Sequence, residues 1–554
     1  MSKFNATKVT GPTGINHMGE KAYVMNDKEA LTQLVLTTFL CSSYYATDTQ
    51  IMNRINELVS KVGPEFSAKL ALYARTKANM RSVSHLIAAL VCKDAKNSNW
   101  LKHFYKNIVV RPDDMSEILC CYAKLNGIDL NGSFKKIPNS MKKGFKLALE
   151  RLTPYQIDKY KMNSKTVSLI DLVNLFHPRS TEANAEAYRR LMHGESLEGT
   201  YDSKILEKEM SASCQGDDVE DKNLAKHDAI ASVLKSGSGM PIMNLLRNLK
   251  NIMLYAPDMI DETINQLTNE TKIINSRLLP FRFSSAYDVV NSIEVSDYKK
   301  SDDSGDSKIV FESEIPSMTQ ENLNSIKEKV LKAIDDAMKV SCKNVPELDG
   351  NCAILVDHSG SVRGDYYGSS TVSPWSRTTT AMIGNLFGTI MTFKQKNVYF
   401  GMFGDKLISP TIDRNLGLLE FNAKTYDVGG DCGGATENGL YEFMKDAIKN
   451  NKKIDNLIVF SDMEIGDGGE GGWDATSYTR GVHFHELFAQ FRKINPHCLT
   501  VCCNINGRSG TSVFNPNLNL LNISGWSNAI FDTIAMYQNG KVKSLVEEIE
   551  KIEL

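Results

Sequence analysis

The sequence predicts two fold types in one chain: an all-helical N-terminal part, built as an irregular α-solenoid, followed by a doubly wound α/β domain. From about Lys28 to Asn344 the apolar residues recur at helical spacing. After Pro346, short β-rich apolar runs alternate with helical stretches, which is the pattern of a sheet covered on both faces. The 554 residues also exceed the ~250–300 at which a single hydrophobic core stops growing.

Short amphipathic segments make up the helical part, and prolines separate them. The clearest segments are "KEALTQLVLTTFL", "EFSAKLALYARTKA", "SVSHLIAALVC", "MSEILCCYAKLNG" and "MPIMNLLRNLKNIMLY". The separating prolines are Pro64, Pro112, Pro154, Pro178, Pro241 and Pro280. No strict repeat length is visible, so the predicted solenoid is irregular.

The α/β part is predicted from four apolar runs and the helices between them. The runs "CAILVD", "NVYFGMF", "NLIVFSD" and "LTVCCNIN" are predicted strands. The stretches "RTTTAMIGNLFGTIMTFKQ", "NGLYEFMKDAIKN" and "HFHELFAQFRKI" are predicted helices. In open sheets of this kind, function lies at the carboxyl ends of the strands.

Composition narrows the class of protein. The chain is 42% hydrophobic and 23% charged, with a formal net charge of −2, which argues against a protein that coats nucleic acid uniformly. No apolar run approaches the ~20 residues of a membrane helix, and the first residues lack the apolar centre of a secretory signal. The eleven cysteines include no Cys-x-x-Cys pair, which is typical of reduced thiols. We therefore expect a cytoplasmic protein without disulfides, zinc or membrane contact.

Three predicted strand-end loops carry oxygen-bearing side chains. The first strand ends in Asp357-x-Ser359-x-Ser361, and a later one ends in Asp462. Between them the glycine-rich stretch "GGDCGGATENGL" places Thr436 just before a helix. Carboxylate and hydroxyl oxygens suit a hard divalent cation, so these five residues predict a site for Mg²⁺ or Mn²⁺. The exchangeable ligand position of such an ion is expected to face solvent or a partner's acidic group.

Other chemistries fit this pattern less well. A serine nucleophile requires Gly-x-Ser-x-Gly, and a phosphate loop requires Gly-x-x-x-x-Gly-Lys-[Ser/Thr]; neither occurs here. A phosphoryl-transfer aspartate usually has a second aspartate where Ser359 stands, so a hydrolase using Asp357 or Ser359 is the weakest hypothesis. The bland alternative is that Asp357 and the serines merely cap the following helix. In the third loop, Asp431 competes with Thr436 as the ligand.

The same residues resemble a known motif. "VDHSGSV", Thr436 and "FSD" are similar to the metal-ion-dependent adhesion site of von Willebrand factor A domains. The resemblance implies that Ser359, Ser361 and Thr436 bind the metal, and that Asp357 and Asp462 bind it directly or through water.

The helical part resembles the TROVE module of Ro autoantigen ribonucleoproteins and their bacterial relatives. The similar stretches are "HMGEKAYVMNDKEALTQLVLTTFL", "LALYARTKANMRSVSHLIAAL", "AIASVLKSGSGMPIMNLLRNLKNI" and "INSRLLPFRF". The resemblance implies a TROVE ring of HEAT-like repeats over residues 15–345 and a von Willebrand A domain over 349–550. It also implies small noncoding Y-like RNA and single-stranded RNA 3′ ends as partners. An exoribonuclease or another acidic protein is the partner expected at the metal site.

A basic segment between Phe134 and Lys165 is the predicted RNA surface. Its positive residues are Lys135, Lys136, Lys142, Lys143, Lys146, Arg151, Lys159, Lys161 and Lys165. Against these stand only Glu150 and Asp158, while Tyr155, Tyr160, Phe134 and Phe145 could stack on bases. The alternative is a solvated helix face, which is what most lysine runs are.

The stretch "DKYKMNSKTVSLIDLVNLFHP" bears on that choice. It resembles the part of TROVE modules whose Lys-Tyr-Lys and later histidine contact RNA, which implies roles for Lys159, Lys161 and His177. Serine stands at Ser164 and Ser168, where the family often has a basic or polar residue and a second histidine. The favoured hypothesis is thus a non-enzymatic RNA-binding scaffold in noncoding-RNA quality control. The second is a protein-binding adaptor that grips an acidic ligand through the metal.

Overall fold

The computed structural model describes residues 11–95, 98–129, 136–163, 165–195, 219–235, 239–299, 319–466, 482–507 and 510–554. Packing divides the chain into two compact units, one formed by Met1–Tyr188 with Asn344–Leu554 and the other by Arg189–Lys343. The predicted module boundaries at 15–345 and 349–550 stay predictions. No helix in the described ranges has both the length and the apolar character needed to cross a bilayer.

The N-terminal part of the first unit is helical after two short strands, β1 (Gly14–Ile15) and β2 (Lys21–Val24). Its helices are α1 (Asp27–Leu36), α2 (Asp48–Val62), α3 (Pro64–Thr76), α4 (Ser82–Asp94), α5 (Leu101–Ile108), α6 (Pro112–Asn126), α7 (Asn139–Glu150), α8 (Pro154–Lys159) and α9 (Leu169–Phe176). The boundary between the two units falls within the next helix, α10 (Ala185–His193). Pro64, Pro112 and Pro154 each occupy the first turn of a helix, where the missing N–H costs no hydrogen bond. These three predicted breaks therefore coincide with helix starts.

The second unit is also helical. It contains α11 (Val219–Lys235), α12 (Ile242–Tyr255), α13 (Ile260–Leu267), α14 (Glu270–Ser276), α15 (Phe281–Asn291) and α16 (Gln320–Ser341). Helix α16 packs against α13, α14 and α15. The Gln266 side chain accepts a hydrogen bond from the Met240 N–H and donates one to the Leu234 carbonyl, which ties α13 to the end of α11.

The C-terminal part of the first unit is an α/β layer structure, as predicted. Its elements are β3 (Cys352–Asp357), α17 (Gly360–Arg363), α18 (Thr380–Lys394), β4 (Val398–Phe403), β5 (Leu407–Ile408), α19 (Leu418–Gly429), α20 (Asn438–Lys449), β6 (Asn456–Ser461), α21 (Phe484–Ile494), β7 (Leu499–Asn504), β8 (Thr511–Ser512), β9 (Leu520–Ser524), α22 (Ala529–Gln538) and α23 (Leu545–Glu550). The four predicted strands are β3, β4, β6 and β7. Together with the helical part, they confirm the predicted fold class.

One six-stranded sheet organises this part, in the order β5-β4-β3-β6-β7-β9. All neighbouring strands are parallel except β4 and β5. Strand β3 is buried along its whole length, because alternate residues face helices on opposite sides. Ile354 and Val356 lie close to Gly388 of α18, while Ala353 and Leu355 join the core cluster that includes α20 and α21. The sheet is therefore doubly wound.

A small second sheet joins distant parts of the chain. Its order is β1-β2-β8, and both pairings are antiparallel. Tyr23 of β2 pairs with Ser512 of β8, so the segment before α1 is hydrogen-bonded to the α/β part.

Candidate metal centre and nucleic-acid interface

The two predicted aspartates lie at the ends of neighbouring strands. Asp357 is the last residue of β3, and Asp462 follows the last residue of β6. These strands pair in parallel, with Val356 opposite Phe460, so their carboxyl ends meet at one edge of the sheet. Both side chains are buried, at 0% and 2% exposure. The sheet thus brings together two carboxylates that are more than a hundred residues apart.

Hydrogen bonds join the aspartates to the predicted serines. Asp357 accepts from the Ser359 N–H at 2.8 Å through Oδ1 and from the Ser461 hydroxyl at 2.5 Å through Oδ2. Asp462 Oδ2 accepts from the Ser361 hydroxyl at 2.7 Å, and the Ser359 and Ser361 hydroxyls are 3.2 Å apart. Four of the five predicted ligands therefore form one buried cluster.

The fifth predicted ligand, Thr436, lies in a loop that packs on the first. The Gly360 N–H donates to the Gly434 carbonyl at 2.9 Å. Thr436 is buried, and its N–H and hydroxyl both donate to Asp405 Oδ1, at 2.6 and 2.8 Å. Asp431, its competitor in the same loop, is exposed.

Asp405 holds the Thr436 loop in place. It follows β4, so it is a third aspartate from a strand end. Gly433 has φ +83° and approaches so closely that a Cβ there would lie 2.3 Å from Asp405 Oδ2. Sequence reasoning missed Asp405, although the rule that favours strand ends in the motif "FGD" would have found it.

The electrostatics of the site favour a cation. Burial and the charge of Asp462 raise the pKa of Asp357, and burial raises the pKa of Asp462. Among the described residues, neither carboxylate forms an ion pair with a lysine or arginine within 4.0 Å. Nor do the described ranges contain three or more His, Cys, Asp or Glu side chains grouped to hold a metal. A metal would therefore depend on the hydroxyl oxygens as well as on the two carboxylates, and this donor set suits Mg²⁺.

His358, between Asp357 and Ser359, faces away from them. Its Nε2 lies 3.2 Å from Asn385 Oδ1, and Arg363 donates to its Nδ1 at 2.8 Å. Burial and the neighbouring Arg363 charge lower the pKa of His358 to about 3, so the ring is neutral. Arg363 also lies over the Tyr426 ring, 4.2 Å from its centroid. Both basic groups of this loop are thus engaged away from the carboxylates.

The N-terminal segment reaches the site, which the sequence did not predict. The Tyr45 hydroxyl donates to Asp462 Oδ2 at 3.1 Å. The His17 N–H donates to Glu464 at 2.8 Å, and the Asn16 amide donates to the Ile465 carbonyl at 2.7 Å. Asp462, a candidate ligand, is therefore contacted by a tyrosine from the N-terminal part of the chain.

The predicted RNA-contacting lysines fall into two groups. In the first, Lys142 and Lys146 are half-buried, Lys143 and Lys136 are exposed, and none is ion-paired with an acidic residue of the described chain. Lys135 lies outside the described residues. We call Lys136, Lys142, Lys143 and Lys146 the basic strip.

Helix α5 adds two lysines that the sequence pattern did not single out. It packs against α7 so closely that a Cβ at Gly144 would lie 2.4 Å from Tyr105 Cβ and 2.7 Å from the Lys102 carbonyl. Lys102 and Lys106 of α5 are half-buried, and neither forms an ion pair with the described acidic residues. They lie about 40 residues before α7, and only the folded chain brings the two helices together.

The second group of predicted lysines is held by neighbours. Lys159 donates to the Tyr155 hydroxyl at 2.8 Å and lies 5.1 and 5.7 Å from the Tyr155 and Tyr160 ring centroids. Arg111 covers the Tyr160 ring at 4.8 Å. Lys161 is paired with Asp158 at 3.1 Å. In this part of the surface, basic side chains lie over the faces of two tyrosine rings. We call Arg111, Tyr155, Lys159 and Tyr160 the ring cluster.

His177 is exposed at the end of α9. It has φ +45°, a left-handed conformation in which histidine is enriched, and its N–H bonds to the Val173 carbonyl. Helix α9 packs against α7 through Phe176 and Phe145, whose rings are 5.7 Å apart. Phe145 is fully buried in this contact, so the prediction that it stacks on bases is wrong, and Phe134 lies outside the described residues. Ser168 caps the other end of α9 by accepting from the Asp171 N–H.

Comparison with known proteins places the chain in a family. The family model of the TROVE domain matches residues 20–204 and 130–350, which together are more than half of the chain. The chain belongs to the TROVE domain family.

Two further known proteins are similar to this chain, one in sequence and one in fold. Telomerase protein component 1 of Rattus norvegicus is 22% identical in an alignment 362 positions long, which covers 52% of this chain and 14% of the rat protein. The TROVE chain thus spans about a seventh of that relative's length. The crystal structure of the Deinococcus radiodurans Ro (RSR) protein is similar with a TM-score of 0.51 and 15% identity, covering 93% of this chain and 100% of that one. This last likeness concerns the fold.

Proposed function

We propose that this TROVE-family chain is an RNA-binding scaffold. It would hold small noncoding, Y-like RNA and the single-stranded 3′ ends of misfolded or structured RNA, and act in RNA quality control. The observation that carries the proposal is the basic strip, whose lysines are free of acidic partners among the described residues. Cations without internal partners are available to replace the counterions of a phosphate backbone.

The ring cluster supports the single-stranded part of the proposal. Tyr155 is 42% exposed and Tyr160 is half-buried, and both rings already carry a cation. Aromatic rings beside cations bind single strands with little base preference, because every base has a face that can stack. His177, exposed at the end of the neighbouring helix α9, is a further contact in this proposal.

For the α/β part we propose a von Willebrand A-like site for one Mg²⁺ or Mn²⁺, held by Asp357, Ser359, Ser361, Thr436 and Asp462. When bound, the ion supplies the positive charge that the two buried carboxylates lack. Catalysis is not part of the proposal, because His358 is engaged with Asn385 and Arg363 rather than with Ser359. An adaptor role toward an acidic protein or an exoribonuclease is the weaker proposal, since Tyr45 already contacts Asp462.

The RNA proposal is tested by reversing the charge of the strip. We expect the triple variant Lys142→Glu, Lys143→Glu, Lys146→Glu to bind a tailed RNA hairpin more weakly. The log–log dependence of affinity on salt should flatten by roughly 0.7–0.9 for each phosphate that the variant no longer neutralises. Filter-binding titrations at several salt concentrations measure both quantities.

A matched control separates a local contact from the overall charge. Lys424, Lys449 and Lys493 are exposed lysines of the α/β part, and reversing all three changes the net charge equally. This control should keep the wild-type affinity and salt slope to within the small effect of net charge. If the strip variant also keeps both, the strip is a solvated helix face and the proposal is wrong.

A further inference from the structure

Residues before α2 contact the edge of the sheet where the candidate ligands lie. Glu20 is fully buried and accepts hydrogen bonds from the Phe484 N–H at 3.0 Å and from His483 Nδ1 at 3.1 Å. The contacts of Asn16 and His17 with Ile465 and Glu464 lie only a few residues beyond Asp462. This segment is thus attached to the loop that carries one of the candidate ligands.

Tyr45 makes the most direct of these contacts. Its hydroxyl bonds to Asp462 Oδ2, the same oxygen that accepts from Ser361. The ring is held edge-on by His17 and Tyr44, with centroids 5.2 and 4.9 Å away. Tyr45 is not a candidate ligand itself, but it orients a carboxylate oxygen of Asp462, which is one.

We infer that Tyr45 is a positioning residue of the metal site, and that ion binding at Asp462 is coupled to docking of residues 37–47 on the sheet. The inference rests on the metal site proposed above. Groups that hydrogen-bond to ligating carboxylates fix their orientation, and their loss typically costs 10–100-fold in metal affinity. Coupling is reciprocal, so an ion that binds more tightly when Tyr45 is docked must also hold Tyr45 in place.

The neighbouring tyrosine provides a control within the same loop. The Tyr44 hydroxyl donates to Asp365 at 3.0 Å, and the Tyr44 ring packs against Gly368. Asp365 is not among the candidate ligands. Removing the Tyr44 hydroxyl therefore removes one hydrogen bond of the same segment without touching Asp462.

The main test is calorimetric titration of the full chain with Mn²⁺. We expect Tyr45→Phe to weaken Mn²⁺ binding at least tenfold and Tyr44→Phe to change it less than twofold. Asp357→Ala should abolish it. Thermal unfolding of the metal-free proteins compares the stability of Tyr45→Phe with that of Tyr44→Phe. Equal midpoints are expected, whereas a purely structural role of Tyr45 would lower the midpoint of Tyr45→Phe alone.

Hydrogen exchange adds a readout of the coupling. In the wild type, Mg²⁺ should slow exchange at the amides of residues 37–47, and this protection should vanish in Tyr45→Phe while protection of β3 and β6 persists. If the wild type binds no Mn²⁺, the metal site itself is disproved. If Mn²⁺ binds the wild type and Tyr45→Phe equally, only the role of Tyr45 is overturned. Should Tyr45→Phe fail to fold, the wild-type exchange decides: protection of residues 37–47 by Mg²⁺ supports the coupling, and its absence overturns it.

Discussion

Two groups of basic residues in the helical part of the first unit differ in whether acidic side chains contact them. The lysines of the basic strip point to solvent or lie half-buried without acidic partners in the described chain. Arg75 and His85, on α3 and α4, are buried beside Asp114 of α6. Both groups are basic residues of the helical part, so charge alone does not distinguish them. The comparison shows that the neighbours of a basic residue indicate its role better than its charge does. A basic residue paired with a buried carboxylate stabilises the fold, whereas one without an acidic partner is available to a ligand.

The buried group forms a network centred on Asp114. Arg75 donates to its carboxylate at 2.9 Å, and His85 Nε2 lies 2.9 Å from Oδ1. The N–H groups of Val110 and Arg111 donate to Oδ2 at 2.9 and 2.8 Å, so the same carboxylate caps the start of α6. A buried carboxylate is tolerated when its oxygens accept several hydrogen bonds, as those of Asp114 do. Removing one partner leaves a buried charge without compensation.

The largest expected effect comes from breaking this network. Asp114→Asn should lower the free energy of unfolding by about 3–5 kcal/mol, because it leaves the Arg75 charge buried without its counter-charge. Urea unfolding followed by circular dichroism measures it. Glu57→Gln, in a surface pair with Lys61, is the control and should show no resolvable change. A loss below about 1 kcal/mol for Asp114→Asn would contradict the structural role.

The next effect concerns RNA and the lysines of α5. Lys102→Ala with Lys106→Ala should weaken binding of the tailed hairpin and flatten its salt slope by roughly 0.7–0.9 per lysine. Stability should stay at the wild-type value because neither lysine is ion-paired with a described acid. Lys28→Ala with Lys61→Ala, whose lysines pair with Glu550 and Glu57, is the control. An unchanged slope would restrict the interface to α7.

A smaller effect should appear in the pH dependence of stability. Burial alone would raise the pKa of Glu117, but hydrogen bonds from His85 and Lys165 lower it from 4.5 to about 2. A lowered folded-state pKa stabilises above the unfolded value, so this contribution is lost as the pH falls from 4.5 towards about 2. Burial alone would lower the pKa of His85, but Asp114 and Glu117 raise it above 6.5. Its contribution is complete below 6.5 and is lost as the pH rises through the raised value.

The measurement is the free energy of unfolding of the wild type and Glu117→Gln at several pH values. The variant should lack the part of the acid-side slope that Glu117 supplies. Two parallel curves between pH 4.5 and about 2 would show that the His85 and Lys165 contacts do not matter in solution.

The smallest effect is expected at Lys161. Because Lys161 is paired with Asp158, Lys161→Ala should change the affinity for a single-stranded 3′ tail less than twofold. Lys159→Ala and His177→Ala should each weaken it more, since Lys159 lies over two rings and His177 is exposed. Competition between tailed and blunt RNA measures the loss of affinity in each variant. If Lys161→Ala lost as much affinity as the strip variant, an acidic partner would not mark a lysine as unavailable to RNA.

The sequence predicted those parts of the molecule in which a local pattern determines the structure. A strand buried on both faces is apolar throughout, so "CAILVD" and "LIVFS" were recognisable as β3 and β6. Parallel strands end at one edge, so Asp357 and Asp462 were expected to meet, and they do. The prolines that start α3, α6 and α8 were equally legible.

The missed parts depend on contacts between distant segments. Asp405 supports Thr436 only because β4 lies next to β3 in the sheet. The order of strands in a sheet cannot be predicted from a local sequence pattern. Tyr45 reaches Asp462 across 417 positions, and no spacing rule links them. Strands β1, β2 and β8, with two to four residues each, are too short to give a periodic signal.

The pairing of β2 with β8 has a consequence for synthesis on the ribosome. Tyr23 and Ser512 are partners in the small sheet although roughly 490 residues separate them. At about 5–20 residues per second, the β2 segment waits about 25–100 s for its partner to be made. During that time the residues that will contact the α/β edge have no surface to bind. Docking of this flank therefore cannot precede the synthesis of Ser512, which makes it a late step of folding.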